Sequence, residues 1–141
     1  MKDLHNNIEV VSLLDPIAVT TTQTITDIDL AGWESAELIF SCGLDEGSGL
    51  SDSNQIAFVL SDSPDGTNYT AVEDADMLGL EDITAGNILE IDATDKDNTV
   101  YHFGYVGGQR YLEIVGTVAG TISMPIGITL IKGHGQDKPA I

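Results

Sequence analysis

Two segments of this chain alternate apolar and polar residues with the two-residue period of β-strands. The clearest segment is 121–132, in which every second residue is apolar over one face: Ile122, Met124, Ile126, Ile128 and Leu130. In segment 100–106, Tyr101, Phe103 and Tyr105 likewise share a face. No stretch repeats its apolar residues at helical spacing over three turns, and the best helix candidate is the short acidic segment 71–80. The pattern therefore predicts an all-β protein.

Eight segments rich in Ile, Val, Thr, Phe and Tyr are bounded by Gly, Asp, Asn and Ser, as strands are. They are residues 8–13, 23–30, 36–42, 55–61, 87–91, 100–106, 110–115 and 121–132. A short strand at 69–72 is expected after a turn built on Pro64, Asp65 and Gly66. Many short strands with turns between them predict a single-domain β-sandwich or jelly roll with long loops and extended termini.

Residues 1–7 are predicted to form an N-terminal arm, 8–132 the β-sandwich domain and 133–141 a C-terminal tail. Within the domain, the Gly-rich link 107–109 predicts a hairpin between its two flanking strands. Pro125 has no N–H to donate and predicts an edge strand or a bulge. The loop 43–53 is expected to be mobile or ordered by a neighbour, and Trp33 to plug the core or a sheet corner.

The chain is strongly acidic, with 23 Asp and Glu against 5 Lys and Arg and a net charge of −18. Residues 3–131 hold 22 of these acids and only two bases, Lys96 and Arg110. Such a surface repels phosphate backbones and anionic lipids, so we expect neither nucleic-acid binding nor membrane binding. Two interpretations stay open: a solvated acidic surface, or an acidic body whose less acidic ends touch a partner.

Residues with catalytic chemistry are few and scattered. The three histidines, His5, His102 and His134, have no motif spacing, and Cys42 at the end of a predicted strand is expected to be a buried, inert thiol. No Ser lies in a nucleophile elbow, so we expect no enzyme and no cofactor. Asp-x-Asp pairs occur at 27/29, 74/76 and 95/97, and they are either solvated pairs or calcium ligands.

Several stretches resemble a family of small tailed-phage and prophage proteins encoded among head-morphogenesis genes. The similar stretches are residues 1–8, 31–37, 75–79, 103–111 and 133–139. The resemblance implies a capsid decoration (cement) protein on the outer surface of the virion, made in the host bacterial cytoplasm. It implies the major capsid protein as partner and a homo-oligomer, with a trimer favoured.

Within this interpretation the arm adds to a capsid-protein sheet or loop, and cations near the termini face acidic capsid patches. Arg110 pairs with an acid across a subunit contact or forms a surface ion pair. The predicted capsid or subunit contacts are Lys2, Leu4, His5, Arg110, Tyr111, Lys132, His134 and Lys138.

Two other classes of function remain open from the sequence. The chain is either another virion component, such as a head fibre base, connector or tail protein, or an acidic calcium-dependent adhesin or carbohydrate-binding β-sandwich. Copy number per particle separates the virion roles, and calcium-dependent stability separates the adhesin.

Overall fold

The computed structural model describes residues 1–137, in which ten β-strands account for almost all regular structure. Two short 3-10 turns, His5–Asn7 and Asp74–Asp76, are the other elements in this range. The strands are β1 Ile8–Val19, β2 Gln23–Asp29, β3 Trp33–Cys42, β4 Gln55–Ser63, β5 Thr70–Ala71, β6 Met77–Leu78, β7 Asn87–Ile91, β8 Thr99–Tyr105, β9 Tyr111–Ala119 and β10 Met124–Gly135.

The strands form two antiparallel sheets that pack as a single-domain β-sandwich, which confirms the predicted fold class. The first sheet has the order β1-β10-β3-β8-β6. The second has the order β2-β9-β4, with β5 and β7 both paired to the other edge of β4. Apart from the two-residue β5 and β6, the first four strands pair with the last four in reverse order. This arrangement, a long hairpin rolled into two sheets, is a jelly roll.

The core lies between the two sheets and is almost entirely apolar. The alternating face of β10 points into it as predicted, since Ile122, Met124, Ile126, Ile128 and Leu130 are all buried. Phe40 from the first sheet meets Phe58 from the second, with ring centroids 5.0 Å apart. Cys42 is buried beside them, and burial raises the pKa of its thiol to about 12, which keeps it protonated and unreactive.

The predicted hairpin at 107–109 is wrong, because β8 belongs to the first sheet and β9 to the second. The link folds instead around the ring of Tyr105, which points into the interior. The Tyr105 hydroxyl donates to Asp62 (2.7 Å) and accepts the Gln109 N–H (3.1 Å). A Cβ atom at Gly107 would lie 2.7 Å from this ring, so glycine permits the chain to cross between the sheets here.

Pro125 does not lie on an edge strand, since β10 is paired with β1 on one side and β3 on the other. The register irregularity of the β1–β10 ladder lies close by, between Leu14 and Ile17 of β1, and Pro125 itself is opposite Ala18. Pro125 is only the second residue of β10, and the ladder with β3 begins one residue later, at Ile126. Its carbonyl accepts the Gly43 N–H at 2.7 Å. The missing N–H therefore removes no ladder bond with β3.

The structure of three other segments can be compared with what the sequence predicted. The helix candidate 71–80 does not form an α-helix, since only the 3-10 turn Asp74–Asp76 forms and β6 follows at once. The loop 43–53 is ordered by a neighbouring segment of the same chain, since its backbone N–H groups donate to carbonyls in residues 121–125. Residues 133–135, assigned to the tail from the sequence, continue β10.

Candidate functional site

Two adjoining depressions cross the end of the sandwich where β3 begins and β8 ends. Their volumes are about 480 and 750 Å³. Both are lined by Ser35, Ala36, Tyr105 and Val106, so they form one continuous surface, here called the end cleft.

The end cleft collects several of the predicted contact residues. Lys2, Leu4 and His134 line its larger part, and Arg110 lines its smaller part together with Trp33. Trp33 is half-buried at the first position of β3, so it lies at a sheet corner and not in the core. Sequence reasoning did not select Trp33 for this surface, since a lone Trp beside a strand carries no signal of exposure.

Tyr111 is the first residue of β9 and Arg110 immediately precedes it, where the chain enters the second sheet. The Arg110 guanidinium donates two hydrogen bonds to the Asp29 carboxylate, both 2.9 Å, and lies 4.8 Å from the Tyr111 ring centroid. Arg110 and then the Ala31 N–H lower the pKa of Asp29 to about 2. Of the two predicted arrangements, the structure contains the ion pair within one chain, and the Arg110 charge is matched by Asp29.

Lys132 lies at the same end, beneath the surface of the sandwich. Its ammonium bonds to the Glu9 carboxylate at 2.5 Å and lies 5.7 Å from the Trp33 ring centroid. Only 12% of the side chain is exposed. Its charge is therefore matched within the chain, and its stem fills the corner beside Trp33.

The N-terminal arm is a compact turn. The Asp3 carboxylate accepts two hydrogen bonds from Asn6, and the Asn7 N–H donates to the Leu4 carbonyl at 3.0 Å. This turn leaves the Leu4 side chain 67% exposed and His5 exposed beside it.

The C-terminal end of β10 approaches the arm at the end cleft. His134 Nδ1 shares a hydrogen bond with the Ser35 hydroxyl at 2.8 Å, in a backbone conformation with φ of +52°. Lys138 lies outside the described residues.

The outer side of the first sheet carries a second surface, which sequence reasoning missed. One register row across the sheet runs Val10, Ile131, Glu37, Gly104 and Leu78. Directly opposed residues of antiparallel strands point to the same side, so the whole row faces outward. A neighbouring row continues this surface: Ser12, Thr129, Ile39 and His102. A further row ends on Val100: Gly127, Ser41 and Val100.

This surface, here called the apolar face, is nearly free of charge. In the three rows Glu37 is the single carboxylate, and it is bonded to His102 Nδ1 at 2.6 Å. Asp15 reaches the rim, where it accepts a hydrogen bond from Ser12. In a chain with a net charge of −18, the remaining acids are thus concentrated elsewhere.

Carboxylates of the Asp-x-Asp pairs accept hydrogen bonds from backbone N–H groups and so stabilise the loops. Asp74 accepts the N–H groups of Asp82 and Ile83, and Asp97 accepts the Asp45 N–H at 2.9 Å. Over residues 1–137, no three or more His, Cys, Asp or Glu side chains are grouped so that they could hold a metal ion. In the same range, no helix has the length and apolar character that a membrane crossing requires.

Asp29→Asn is expected to reduce stability in a pH-dependent way. The folded pKa of Asp29 is depressed, so its contribution is present above the unfolded pKa and is lost as pH falls from about 4 to about 2. Because the pair is half-exposed, the loss at pH 7 is at most about 1 kcal/mol. Denaturant unfolding at several pH values measures it. Asp52→Asn, at an exposed carboxylate with no side-chain hydrogen bond in the described structure, is the control. An Asp29→Asn effect that persists below pH about 2 would contradict the assignment.

Comparison with known proteins gives only a distant likeness. No family model and no curated protein matches the chain. A structure of the infectious bursal disease virus Gx strain is 13% identical with a TM-score of 0.39, covering 95% of this chain and 34% of that one. The VP2 subviral particle of the same virus is 15% identical with a TM-score of 0.37, covering 94% and 34%. The chain thus spans about a third of their length, and at these TM-scores the likeness carries no argument about function.

Proposed function

We propose that this chain is a virion structural protein, and specifically a decoration protein on the outer surface of a tailed-phage capsid. In this proposal it binds the major capsid protein, stabilises the head, needs no cofactor and catalyses no reaction. It is made in the host bacterial cytoplasm and acts as a homo-oligomer. The jelly roll is compatible with this role, since viral capsid domains use that architecture, but lectins and cupins use it too. The support for this role therefore comes from the surface of the molecule.

The observation that carries the proposal is the uneven distribution of charge. Of the four Lys and Arg residues within 1–137, Lys2 and Arg110 line the end cleft and Lys132 lies against Trp33 at the same end. Apart from the nearly uncharged apolar face, the rest of the surface is dominated by acids. Arg110 and Lys132 are each paired with an acid, and Asp3, Glu34 and Glu37 also line the end cleft, so this end is less acidic than the body but not positive. Acidic patches on a capsid therefore repel the body more strongly than this end.

The arm supplies a candidate anchor at the end cleft. Lys2 and Leu4 are both exposed on the arm, and an apolar side chain beside a cation fits a groove of apolar and acidic residues in a partner. The arm makes its turn contacts within residues 3–7, so it can open and add to a capsid-protein sheet or loop. Several arms in one oligomer would offset the entropy lost by ordering each of them.

Deleting residues 2–7 is expected to weaken capsid binding by at least about tenfold while the melting temperature stays within about 2 °C. Particles that lack the protein are incubated with full-length or truncated protein, and the bound fraction is measured by sedimentation. Leu4→Asp is the point variant, with a similar expected loss.

The matched control is Leu44→Asp, which introduces the same change at a leucine that is 58% exposed on the loop after β3. It is expected to bind like the unaltered protein. Equal binding of the truncated protein and the unaltered protein would overturn the role of the arm.

A further inference from the structure

The apolar face exposes aliphatic side chains that a monomer would leave in water. The exposed fractions are 60% for Val10, 59% for Leu78 and 63% for Val100, while Ile39 and Ile131 between them are half-buried. Between them lie the small polar residues Ser12, Ser41 and Thr129 and the Glu37–His102 pair. Exposed aliphatic side chains gathered on one face of a sheet, with few charges among them, are characteristic of protein contact sites. We infer that the apolar face is covered by a second copy of this chain.

The charge of the chain argues for a copy of itself as the occupant. A basic partner would be attracted most strongly to the acidic remainder of the surface, and the apolar face offers it little attraction. A second copy carries the same net charge of −18 and is repelled wherever acids face acids. On the apolar face the one carboxylate of the three rows, Glu37, is already paired with His102. This is therefore the surface on which two such copies approach at least electrostatic cost.

The area of the apolar face is smaller than that of a standard protein interface, so neighbouring surface must also enter the contact. Strands lie about 4.8 Å apart, and outward rows about 6.6 Å apart because alternate residues face outward, so the twelve positions of the three rows cover a flat area of about 400 Å². A standard interface buries about 800 Å² on each partner. The exposed side chains of Leu4 and Val106 adjoin Leu78 at the end cleft and extend the apolar surface. We expect Val106 to enter the same contact.

Sedimentation velocity of the purified chain over a range of concentrations tests the inference without any virus particle. The expected result is a species larger than the 14.9 kDa monomer, whose formation strengthens with salt because salt screens the repulsion between copies. In a dimer two apolar faces meet, whereas in a trimer each face packs on another surface of the neighbour. Either mass agrees with the inference, provided that the variants below dissociate the assembly.

Val10→Asp and Val100→Asp are each expected to weaken association by at least about tenfold. Val100→Lys is expected to weaken it as well, although it reduces the negative charge, because the contact depends on apolar burial. The matched control is Thr117→Asp, an exposed position on the outer side of β9 in the other sheet, which should associate normally.

A chain that is monomeric at every concentration and salt level would overturn the inference. So would an oligomer that all three apolar-face variants leave intact, or one that dissociates as salt is added. The readout is the mass of the free protein. A failure of this inference therefore does not decide whether the chain binds a capsid, which the particle-binding experiment tests separately.

Discussion

Phe58→Ala is expected to lower the free energy of unfolding by about 3–5 kcal/mol. The Phe58 side chain is fully buried, packs on Phe40 across the sandwich and covers Gly116 on the adjacent strand. A Cβ atom at Gly116 would lie 2.7 Å from the Phe58 ring, so the absence of a side chain at Gly116 makes room for this ring. Removing the ring leaves a cavity where the two sheets meet. Equilibrium denaturation in urea measures the loss.

The control for this prediction is Leu44→Ala, at a side chain that is 58% exposed on the loop after β3, which should change stability by no more than about 0.5 kcal/mol. A loss below about 1 kcal/mol for Phe58→Ala would mean that the two sheets do not pack around these rings as described.

Gly120→Ala is expected to destabilise the protein by about 2–4 kcal/mol. Gly120 has φ of +68°, which favours glycine, and a Cβ atom there would lie 2.1 Å from the Ser53 carbonyl oxygen. The same Cβ would displace the Asn54 side chain, whose oxygen accepts the Thr121 N–H at 2.9 Å. The substitution therefore strains the backbone and breaks the connection between two loops. Thermal unfolding measures it.

Gly108→Ala separates the two causes. Gly108 has a similar φ of +77°, but a Cβ atom there would have no other atom within 4 Å, so only the backbone strain applies. We expect a loss of about 1 kcal/mol. Equal losses at Gly108 and Gly120 would show that the close approach at Gly120 does not exist.

The strands could be predicted from the sequence because each depends on a local pattern. The alternation over 121–132 identifies the buried face of β10, and the predicted strand 87–91 coincides with β7. The turn after β4 also follows from local chemistry, since the Asp65 carboxylate accepts the Thr67 and Asn68 N–H groups and Gly66 has positive φ.

The features that sequence reasoning missed depend on contacts between distant residues. A short Gly-rich link is typical of a hairpin, and only the inward position of the Tyr105 ring shows that the link at 107–109 crosses between sheets. Pro125 is tolerated inside the sheet because the ladder between β10 and β3 begins one residue later, at Ile126. The Pro125 carbonyl still accepts a hydrogen bond from the Gly43 N–H. The distant partners are Asp62, which accepts a hydrogen bond from the Tyr105 hydroxyl, and Gly43, which donates to the Pro125 carbonyl, and neither lies near the residue concerned in the sequence.

The same difference between local pattern and distant contact applies to the candidate site. Lys2, Leu4 and His134 could be selected as contact residues from the chain termini, and the structure brings them to one cleft. Val10, Ile39 and Val100 could not, because each looks like an ordinary strand residue. They become one surface only when the register of four strands aligns them.

The copy number of this protein in purified particles tests the central claim most directly. Quantitative mass spectrometry against the major capsid protein measures it. The decoration proposal predicts a number comparable to the capsid protein, or a fixed large fraction of it. A handful of copies would indicate a vertex, connector, fibre or tail role instead. Absence from the particles would contradict a virion role altogether.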